Sequence, residues 1–392
     1  MNLKLKTYKI KDFLSTVNGK YAVNWDYVWS IPEFAILETI EQSHKWHGEG
    51  NVKMHTQLVV NEMLNVLNNT ERFNDDGREI LIMAALCHDL GKATKTFLGK
   101  DNIWHAYGHE LDSERITRKL FWDEDFDVRE SICCLVKYHM CIRNLLESNT
   151  NLYQSIIEMA FELQSRYCSL DELFTLMKCD CKGSIPEDKT ITDYDIKKIK
   201  SLELLAETMG ILNFCDFQDI NYLPYHEDEF KRKGMEYLHV AFLIGLHGSG
   251  KNTYCNENYN NENYVILSRD DIRVEIGLCK DNEKIVGTPK QEEEVTKRFK
   301  EKLEDAIKCG KNIVINNINL KRTHRESIKQ EITNLCKGKY KPFFTAHWIE
   351  TTMENTLIRR KGQIDDDVFN NMIMYIDYPT YKDFYMIYNS RN

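Results

Sequence analysis

Cysteine pairs at zinc-finger spacing are missing from this 392-residue chain: none of its 12 cysteines stands in a Cys-x-x-Cys pair, and the nearest neighbours are Cys133–Cys134 and Cys179–Cys181. That excludes a zinc ribbon and a small disulfide scaffold, and the expectation is reduced cytoplasmic thiols that mostly fill cores. Proline is scarce, at 6 residues, so long Pro-rich linkers are excluded. No stretch approaches the roughly 20 consecutive apolar residues of a membrane span. The start, MNLKLKTYKI, is basic but lacks an apolar core of signal-peptide length, which argues against secretion. What is present is ordinary for a globular protein, 42% hydrophobic and 29% charged, in a length that leaves room for two or three domains. The net charge of −9 is uneven: from His239 onward there are 24 Lys and Arg against 22 Asp and Glu, leaving 28 against 39 before it. An acidic first half is a natural home for cations, and polynucleotide contacts there must come from local basic patches.

The chain changes grammar part-way. From about Ile36 to Ser201 apolar residues recur at three- and four-residue spacing, as in Gln57–Leu67, Arg78–Leu86 and Glu130–Lys137, and a further helical stretch runs near Ile199–Leu212. Ser184–Lys189 is a loop by composition, and the polar stretch Tyr222–Gly234 reads as a domain boundary. Beyond it, His239–Gly245, Asn263–Leu267, Asn312–Ile315 and Tyr340–Trp348 are strand candidates separated by helical segments. That alternation predicts a parallel sheet with flanking helices. The expectation is therefore an all-helical domain over 1–234, with its core at about 40–185, followed by an α/β domain over 235–392.

In the second part, Gly245-Leu-His-Gly248-Ser249-Gly250-Lys251-Asn252-Thr253 follows a strand and opens a helix. Glycines there let backbone N–H groups wrap phosphates, the helix N-terminus favours negative charge, and Lys251 reaches the β- and γ-phosphates. The residue after the lysine is Asn252, where a Ser or Thr hydroxyl usually helps to hold Mg²⁺. An amide oxygen can ligate the metal, or Thr253 can take over. Ser268-Arg269-Asp270-Asp271-Ile272-Arg273 follows at a strand end, where a carboxylate can take a proton from an attacking hydroxyl and Arg273, one helical turn on, can grip an acceptor phosphate. A helix cap with a solvated arginine explains the same spacing. Asn312–Leu320 ends a further strand with Asn317 and Asn319 where phosphate-loop enzymes carry an Asp near the metal. Arg359 and Arg360, in Leu357–Gln363, suit a lid closing on a triphosphate, or a solvated basic helix. In this order the motifs resemble the polynucleotide kinase branch of the phosphate-loop transferases, over about 150 residues. The resemblance implies ATP or another NTP with Mg²⁺, Asp270 as general base on a 5′-hydroxyl, Arg273 as the contact to the acceptor's 3′-side phosphate, and Arg359 or Arg360 as the lid arginine.

The first part holds His44, His47, His55, His88, His105, His109 and His139. His88 and Asp89 stand together at the end of an apolar helix stopped by Gly91, a geometry that can bring imidazole and carboxylate to one buried metal. His55, His109 and His139 come from other segments, and Asp180 supplies a late carboxylate. Such N/O donors suit Mn²⁺, Ni²⁺, Co²⁺, Fe²⁺ or Zn²⁺. The series resembles the HD phosphohydrolases, and the phrase Lys45–Thr56 is similar to the HD domain of bacterial tRNA nucleotidyltransferases. The resemblance implies one metal on His55, His88, Asp89 and Asp180, and a second on His109 and His139 bridged by Asp89. It also implies His47, Glu49 and Lys92 near the substrate phosphate.

An HD domain ahead of a polynucleotide kinase resembles the bacterial HD-Pnk end-healing enzymes. That resemblance implies hydrolysis of 2′,3′-cyclic, 2′- or 3′-phosphate ends and phosphorylation of 5′-hydroxyl ends of RNA, tRNA included, or DNA, before a separate ligase acts in the cytoplasm. Abundant Asn, Lys and Ile suit an AT-rich genome such as a phage's. Two alternatives stay open: a nucleotide phosphohydrolase joined to a nucleoside or small-molecule kinase, and a nucleotide or RNA sensor without catalysis.

Overall fold

A computed structural model describes residues 6–141, 151–214, 236–278, 288–360 and 364–391. The chain divides into two compact units, Leu5–Asp216 and Phe217–Asn392. The boundary expected at Tyr222–Gly234 lies outside the described residues. No helix among the described residues is long and apolar enough to cross a membrane.

The first unit is built on helices α1 (Val52–Leu67), α2 (Asp75–Cys87), α3 (His109–Leu120), α4 (Phe126–Tyr138), α5 (Leu152–Gln164), α6 (Leu170–Gly183) and α7 (Thr190–Thr208). Their starts follow the usual chemistry of orphan N–H groups. Asn51 caps α1, Asn74 caps α2 and Asp125 caps α4, while Ser169 and Glu172 form a reciprocal capping box on α6. From Ile80 to Cys87, α2 is buried on every side, as are α4 from Arg129 to Val136 and α6 from Leu170 to Met177, so these three helices form the core of the unit. Two glycines set the approach of helices to one another. A Cβ on Gly91 would lie 2.1 Å from His109 O and 2.6 Å from Ser113 N, so the chain after α2 runs directly against the first turn of α3. A Cβ on Gly183 would lie 2.5 Å from a methyl of Val59 and 2.8 Å from its N, so the end of α6 runs directly against α1. Between α3 and α4, Arg118 pairs with Glu114 at 2.8 Å and Glu130 at 2.9 Å, and Arg166 joins both carboxylates at 2.9 and 3.2 Å, all buried.

Two short hairpins accompany the helices. Leu14–Val17 pairs antiparallel with Lys20–Val23 through Asn18-Gly19, both with φ in the left-handed region (53° and 75°), and Phe97–Leu98 pairs with Trp104–His105.

The second unit carries strands β1 (Glu236–Ile244), β2 (Tyr264–Leu267), β3 (Asn312–Asn316), β4 (Tyr340–Glu350) and β5 (Met386–Arg391). They form one sheet in the order β2-β3-β1-β4-β5, every pair parallel. Between them lie α8 (Lys251–Tyr259), α9 (Arg269–Glu275), α10 (Pro289–Lys308), α11 (Arg322–Leu335), α12 (Met353–Arg359) and α13 (Asp366–Met374). Strand β1 is buried from Val240 to Ile244 because it has neighbours on both sides and helices on its faces. The strand order reverses at β1, and the carboxyl ends flanking such a reversal are where open α/β sheets bind ligands. The glycine loop 245–250 leaves from that end.

Candidate active sites

The imidazoles of the helical unit are aimed by backbone carbonyls. His88 and His139 follow the last residues of α2 and α4, and each turns Nδ1 onto the carbonyl three residues earlier, Ala85 O at 2.8 Å and Val136 O at 2.6 Å. His109 opens α3 and does the same to Ala106 O at 2.7 Å. A carbonyl only accepts, so Nδ1 donates to it and Nε2 is the nitrogen turned toward the cluster. His55, in the first turn of α1, places Nδ1 2.9 Å from Glu49 Oε1. The Nε2 edges converge, with Nε2 of His55 and His88 3.3 Å apart and Nε2 of His109 and His139 3.2 Å apart.

Carboxylates close the cluster. Asp89 Oδ2 lies 3.6 Å from His55 Nε2 and 3.3 Å from His88 Nε2, while its Oδ1 lies 3.1 Å from His109 Nε2 and 4.0 Å from His139 Nε2. Asp180 Oδ1 is 3.0 Å from His55 Nε2 and 3.7 Å from His88 Nε2. One carboxylate thus presents a different oxygen to each pair of imidazoles, and His55–His88–Asp89 and Asp89–His109–His139 each gather donor atoms within 4.8 Å of one another. Facing lone pairs repel unless a cation or proton lies between them, so this donor set fits a pair of divalent cations. Without one, protons redistribute. Burial opposes charge on His55, but Asp180 and Glu49 on its two nitrogens lift its pKa to about 9, while burial beside His88 and His109 pushes His139 down to about 3. Burial also works against charge on Asp89, yet His88 and Lys92 hold its carboxyl well below the usual range.

Around the cluster, Lys92 Nζ bridges Asp89 Oδ2 and Gln42 Oε1, both at 2.7 Å. His47 donates to Glu49 Oε1 at 2.8 Å, and burial together with the Lys92 charge pushes its pKa to about 4. Glu49 is buried and also accepts from Ile185 N at 2.8 Å. A cleft of about 680 Å³ opens here, lined in part by Gln42, Lys45, Trp46, His47, Lys92 and Tyr107. His44 is exposed and His105 pairs with Asp101, so neither is among the clustered donors. Cys87 and Cys179 are buried, and burial pushes the Cys179 thiol up to about 12, in keeping with packing rather than reactivity.

In the α/β unit, Gly248 (φ 81°) and Gly250 (φ 99°) take left-handed conformations that open the loop before α8. Lys251 Nζ donates to Gly245 O and Leu246 O, both at 2.8 Å, and burial pushes its pKa down to about 8 against the opposing charge of Asp270. Among the described residues, Ser249 Oγ is buried with no hydrogen-bond partner. Asn252 Oδ1 accepts from Asn316 Nδ2 at 3.0 Å, and the buried Oδ1 of Asn316 has no partner among the described residues. It is thus Asn316 at the end of β3, rather than Asn317 or Asn319, that faces the loop. Asn317 accepts from Arg269 N at 3.0 Å, and Asn319 donates to Leu243 O at 2.8 Å and Ile315 O at 2.9 Å, locking β1 to β3. Exposed Asp270 accepts from Arg273 at 2.6 Å, and Arg273 also holds Glu292 in a two-toothed pair at 2.8 Å per contact. The adjacent arginines differ sharply. Arg360 is buried over the Phe369 ring and paired with Asp366 at 2.5 Å, whereas Arg359 is exposed at the end of α12, its Cβ 3.3 Å from where a Cβ on Gly248 would sit. Thr253 is exposed on α8.

Two family models match, an HD domain over residues 59–160 and an AAA domain over residues 240–363. This chain joins an HD domain to a P-loop kinase-like domain. The HD match covers His88, Asp89, His109 and His139, and the second match covers the glycine loop, Asp270, Arg273 and Arg359. The chain is also similar to the multifunctional CCA proteins of Pasteurella multocida (32% identical over 134 residues) and Actinobacillus pleuropneumoniae (31% over 118 residues). These alignments cover 34% and 30% of the chain and 27% of each relative. A candidate bifunctional polynucleotide kinase/RNA ligase of Autographa californica nuclear polyhedrosis virus is 37% identical over 89 residues, covering 21% of the chain and 12% of the viral protein. The chain therefore spans about a quarter or less of the length of these relatives.

Sequence reasoning singled out every imidazole and carboxylate of the HD cluster. It missed Gln42 on Lys92, Glu292 on Arg273 and Asn316 on Asn252, and it read Glu49 as a neighbour of the phosphate where the structure places it behind His55.

Proposed function

We propose that the protein is a two-headed polynucleotide end-healing enzyme. The HD domain hydrolyses 2′,3′-cyclic, 2′- or 3′-phosphate ends, and the kinase-like domain moves the γ-phosphate of ATP or another NTP to a 5′-hydroxyl. The observation that carries the reading is Asp89, whose two oxygens serve two separate imidazole pairs in a phosphohydrolase-type domain, in a chain that also holds a phosphate-binding loop beside an Asp270–Arg273 pair.

In the HD domain, His55, His88, Asp89 and Asp180 would hold one divalent cation and His109, His139 and Asp89 a second. Bound there, the pair supplies positive charge that neutralises a phosphate and acidifies a water. Mn²⁺, Ni²⁺, Co²⁺, Fe²⁺ and Zn²⁺ all suit these donors. Glu49 places a carboxylate oxygen against His55 Nδ1, and Gln42 steers the Lys92 ammonium. Lys92 and His47 line the cleft through which a phosphate reaches the cluster.

In the kinase-like domain, the loop Gly245–Gly250 wraps the donor phosphates and Lys251 exchanges two backbone carbonyls for phosphate oxygens. The orphaned oxygens of Ser249 and Asn316 fit a site completed by nucleotide and Mg²⁺, with Asn252 offering an amide oxygen in place of a hydroxyl. Asp270 takes the proton of the 5′-hydroxyl, and Arg273, released in part from Glu292, holds the acceptor's adjoining phosphate. Arg359, exposed next to the loop, is the lid arginine, while Arg360 anchors the end of its helix. A separate ligase is the natural consumer of a 3′-hydroxyl and a 5′-phosphate.

Paired variants test the division of labour. Changing His88→Ala with Asp89→Ala is expected to abolish phosphate removal and spare 5′-phosphorylation, and Lys251→Ala to do the reverse. Loss of both activities from either change, in protein that still melts cooperatively, would sink the two-site reading. A second reading, nucleotide sensing without transfer, is favoured by the two neutral amides Asn252 and Asn316 at the metal position. It predicts ATP binding with no phosphoryl transfer to any acceptor.

A further inference from the structure

Beside the HD cluster stands a group of aromatic rings that neither hydrolysis nor metal binding uses. The pair Phe97–Leu98 with Trp104–His105 is a two-residue antiparallel ladder that ends two residues short of Tyr107. The His105 and Tyr107 rings are stacked, with centroids 5.1 Å apart and planes within 18°, and Phe97 lies 5.6 Å from His105 and 6.1 Å from Tyr107. Hydrogen bonds tie the group together. Asp101 takes His105 Nε2 at 3.1 Å, Tyr107 OH donates to His105 Nδ1 at 3.0 Å, and Gly99 leaves room for the His105 ring, where a Cβ would meet Cδ2 at 2.7 Å.

The group is nonetheless open to solvent. Tyr107 is 72% exposed and Phe97 48%, a poor outcome for large apolar rings unless something covers them. Its position says what. Tyr107, His105 and Trp104 line the same cleft as His109 and Asp89, and Ala106, between His105 and Tyr107, supplies the carbonyl that fixes the His109 ring. Lys45 lines that cleft too, its ammonium over the Trp46 ring at 4.9 Å. Cations and flat rings together, at the mouth of a phosphate-cleaving site, match a nucleotide rather than an apolar peptide.

We propose that Tyr107, backed by His105 and Phe97, is a stacking platform for the base of the terminal nucleotide on a single-stranded polynucleotide whose end phosphate enters the HD cluster. The platform rests on the end-healing reading and deepens it. Stacking on a ring face does not distinguish bases, so such a platform accepts any terminal nucleotide, as an enzyme that repairs breaks at many sequences requires. It also gives the HD domain a preference for polynucleotide ends over free phosphate esters.

The test uses the full chain loaded with its metal and an oligoribonucleotide carrying 2-aminopurine as its last base and a hydrolysis-resistant phosphonate at its 3′ end. Binding should quench the 2-aminopurine fluorescence. Tyr107→Ala should remove that quenching and raise Kd about tenfold, within the range of one lost base stack. Tyr107→Phe, which keeps the ring face, should quench like the unaltered protein. An oligonucleotide with 2-aminopurine five nucleotides inside should report no such difference. Equal quenching and Kd for Tyr107→Ala and the unaltered protein would overturn the platform. Phosphate release from a 3′-phosphorylated oligonucleotide, followed in parallel, separates the two ideas. Quenching without release would leave the platform standing and remove the hydrolase reading, whereas release that Tyr107→Ala does not slow, without quenching, would do the opposite.

Discussion

Glu49→Gln perturbs His55 from its Nδ1 side, opposite the Nε2 that faces Asp89 and Asp180. The carboxylate is buried and faces three nitrogens: it accepts from His47 Nδ1 at 2.8 Å and Ile185 N at 2.8 Å, and His55 Nδ1 lies 2.9 Å from its Oε1. Glutamine keeps the volume but offers one acceptor oxygen and an NH₂ group, so at least one of the three donors must face another donor. If the NH₂ meets His55, the imidazole is driven to the opposite tautomer and its Nε2 gains a proton where the cluster needs a lone pair. If it meets Ile185, a buried N–H goes unpaired at a cost of about 1–3 kcal/mol. Changes to groups that orient metal-bound histidines cost about 10–100-fold in metal affinity, or about 1.4–2.8 kcal/mol. The expected outcome is a loss of that size for Mn²⁺ or Ni²⁺ by isothermal titration, together with loss of phosphate release, while 5′-phosphorylation is retained. Wild-type metal affinity in Glu49→Gln would refute the positioning role of Glu49 and, with it, the tautomer argument for His55.

Three further outcomes follow from the same geometry. Gly91→Ala puts a Cβ 2.1 Å from His109 O, so the first turn of α3 must move; phosphate release should fall at least about tenfold and the HD domain should melt at lower temperature, and a normal kcat would show that His109 need not stay in place. Lys251 loses its charge in the nucleotide-free protein as pH rises through about 8, whereas phosphate holds it charged in the complex, so binding takes up a proton above that pH. The Kd for ATP should therefore rise up to about tenfold per pH unit above 8, and a flat profile to pH 9.5 would contradict the shift. Arg359→Ala should slow 5′-phosphorylation with little change in melting temperature, because its side chain is exposed, while Arg360→Ala should lower the melting temperature by removing the Asp366 pair and the Phe369 contact; the reverse pattern would exchange their roles.

What could be read from the sequence followed from how local each signal is. The phosphate loop was legible because strand, glycines and helix start are contiguous, and His88-Asp89 because the pair ends an unbroken apolar helix. The first hairpin carried a readable Asn18-Gly19 turn, but its strands are half polar and four residues each, too short to interrupt a helical reading. Strand β5 was hidden because it is an edge strand whose exposure alternates irregularly, so Met386–Arg391 shows no buried run. Asn316 was passed over in favour of Asn317 because a strand's alternation is fixed only once its register is known, and the register is set by the pairing of Leu243 with Asn316. Glu49 and Glu292 act through space on residues of other segments, and no spacing announces such partners.

The central claim, that one chain repairs both ends of a broken polynucleotide, is tested most directly with a single oligoribonucleotide bearing a 5′-hydroxyl and a 2′,3′-cyclic phosphate. It would be incubated with the protein, ATP, Mg²⁺ and, in turn, Mn²⁺, Ni²⁺ or Co²⁺, and both ends read by mass spectrometry. The account predicts one product carrying a 5′-phosphate and a free 3′-hydroxyl, with the second change dependent on the transition metal. Both ends unchanged, with ATP still bound, would contradict it.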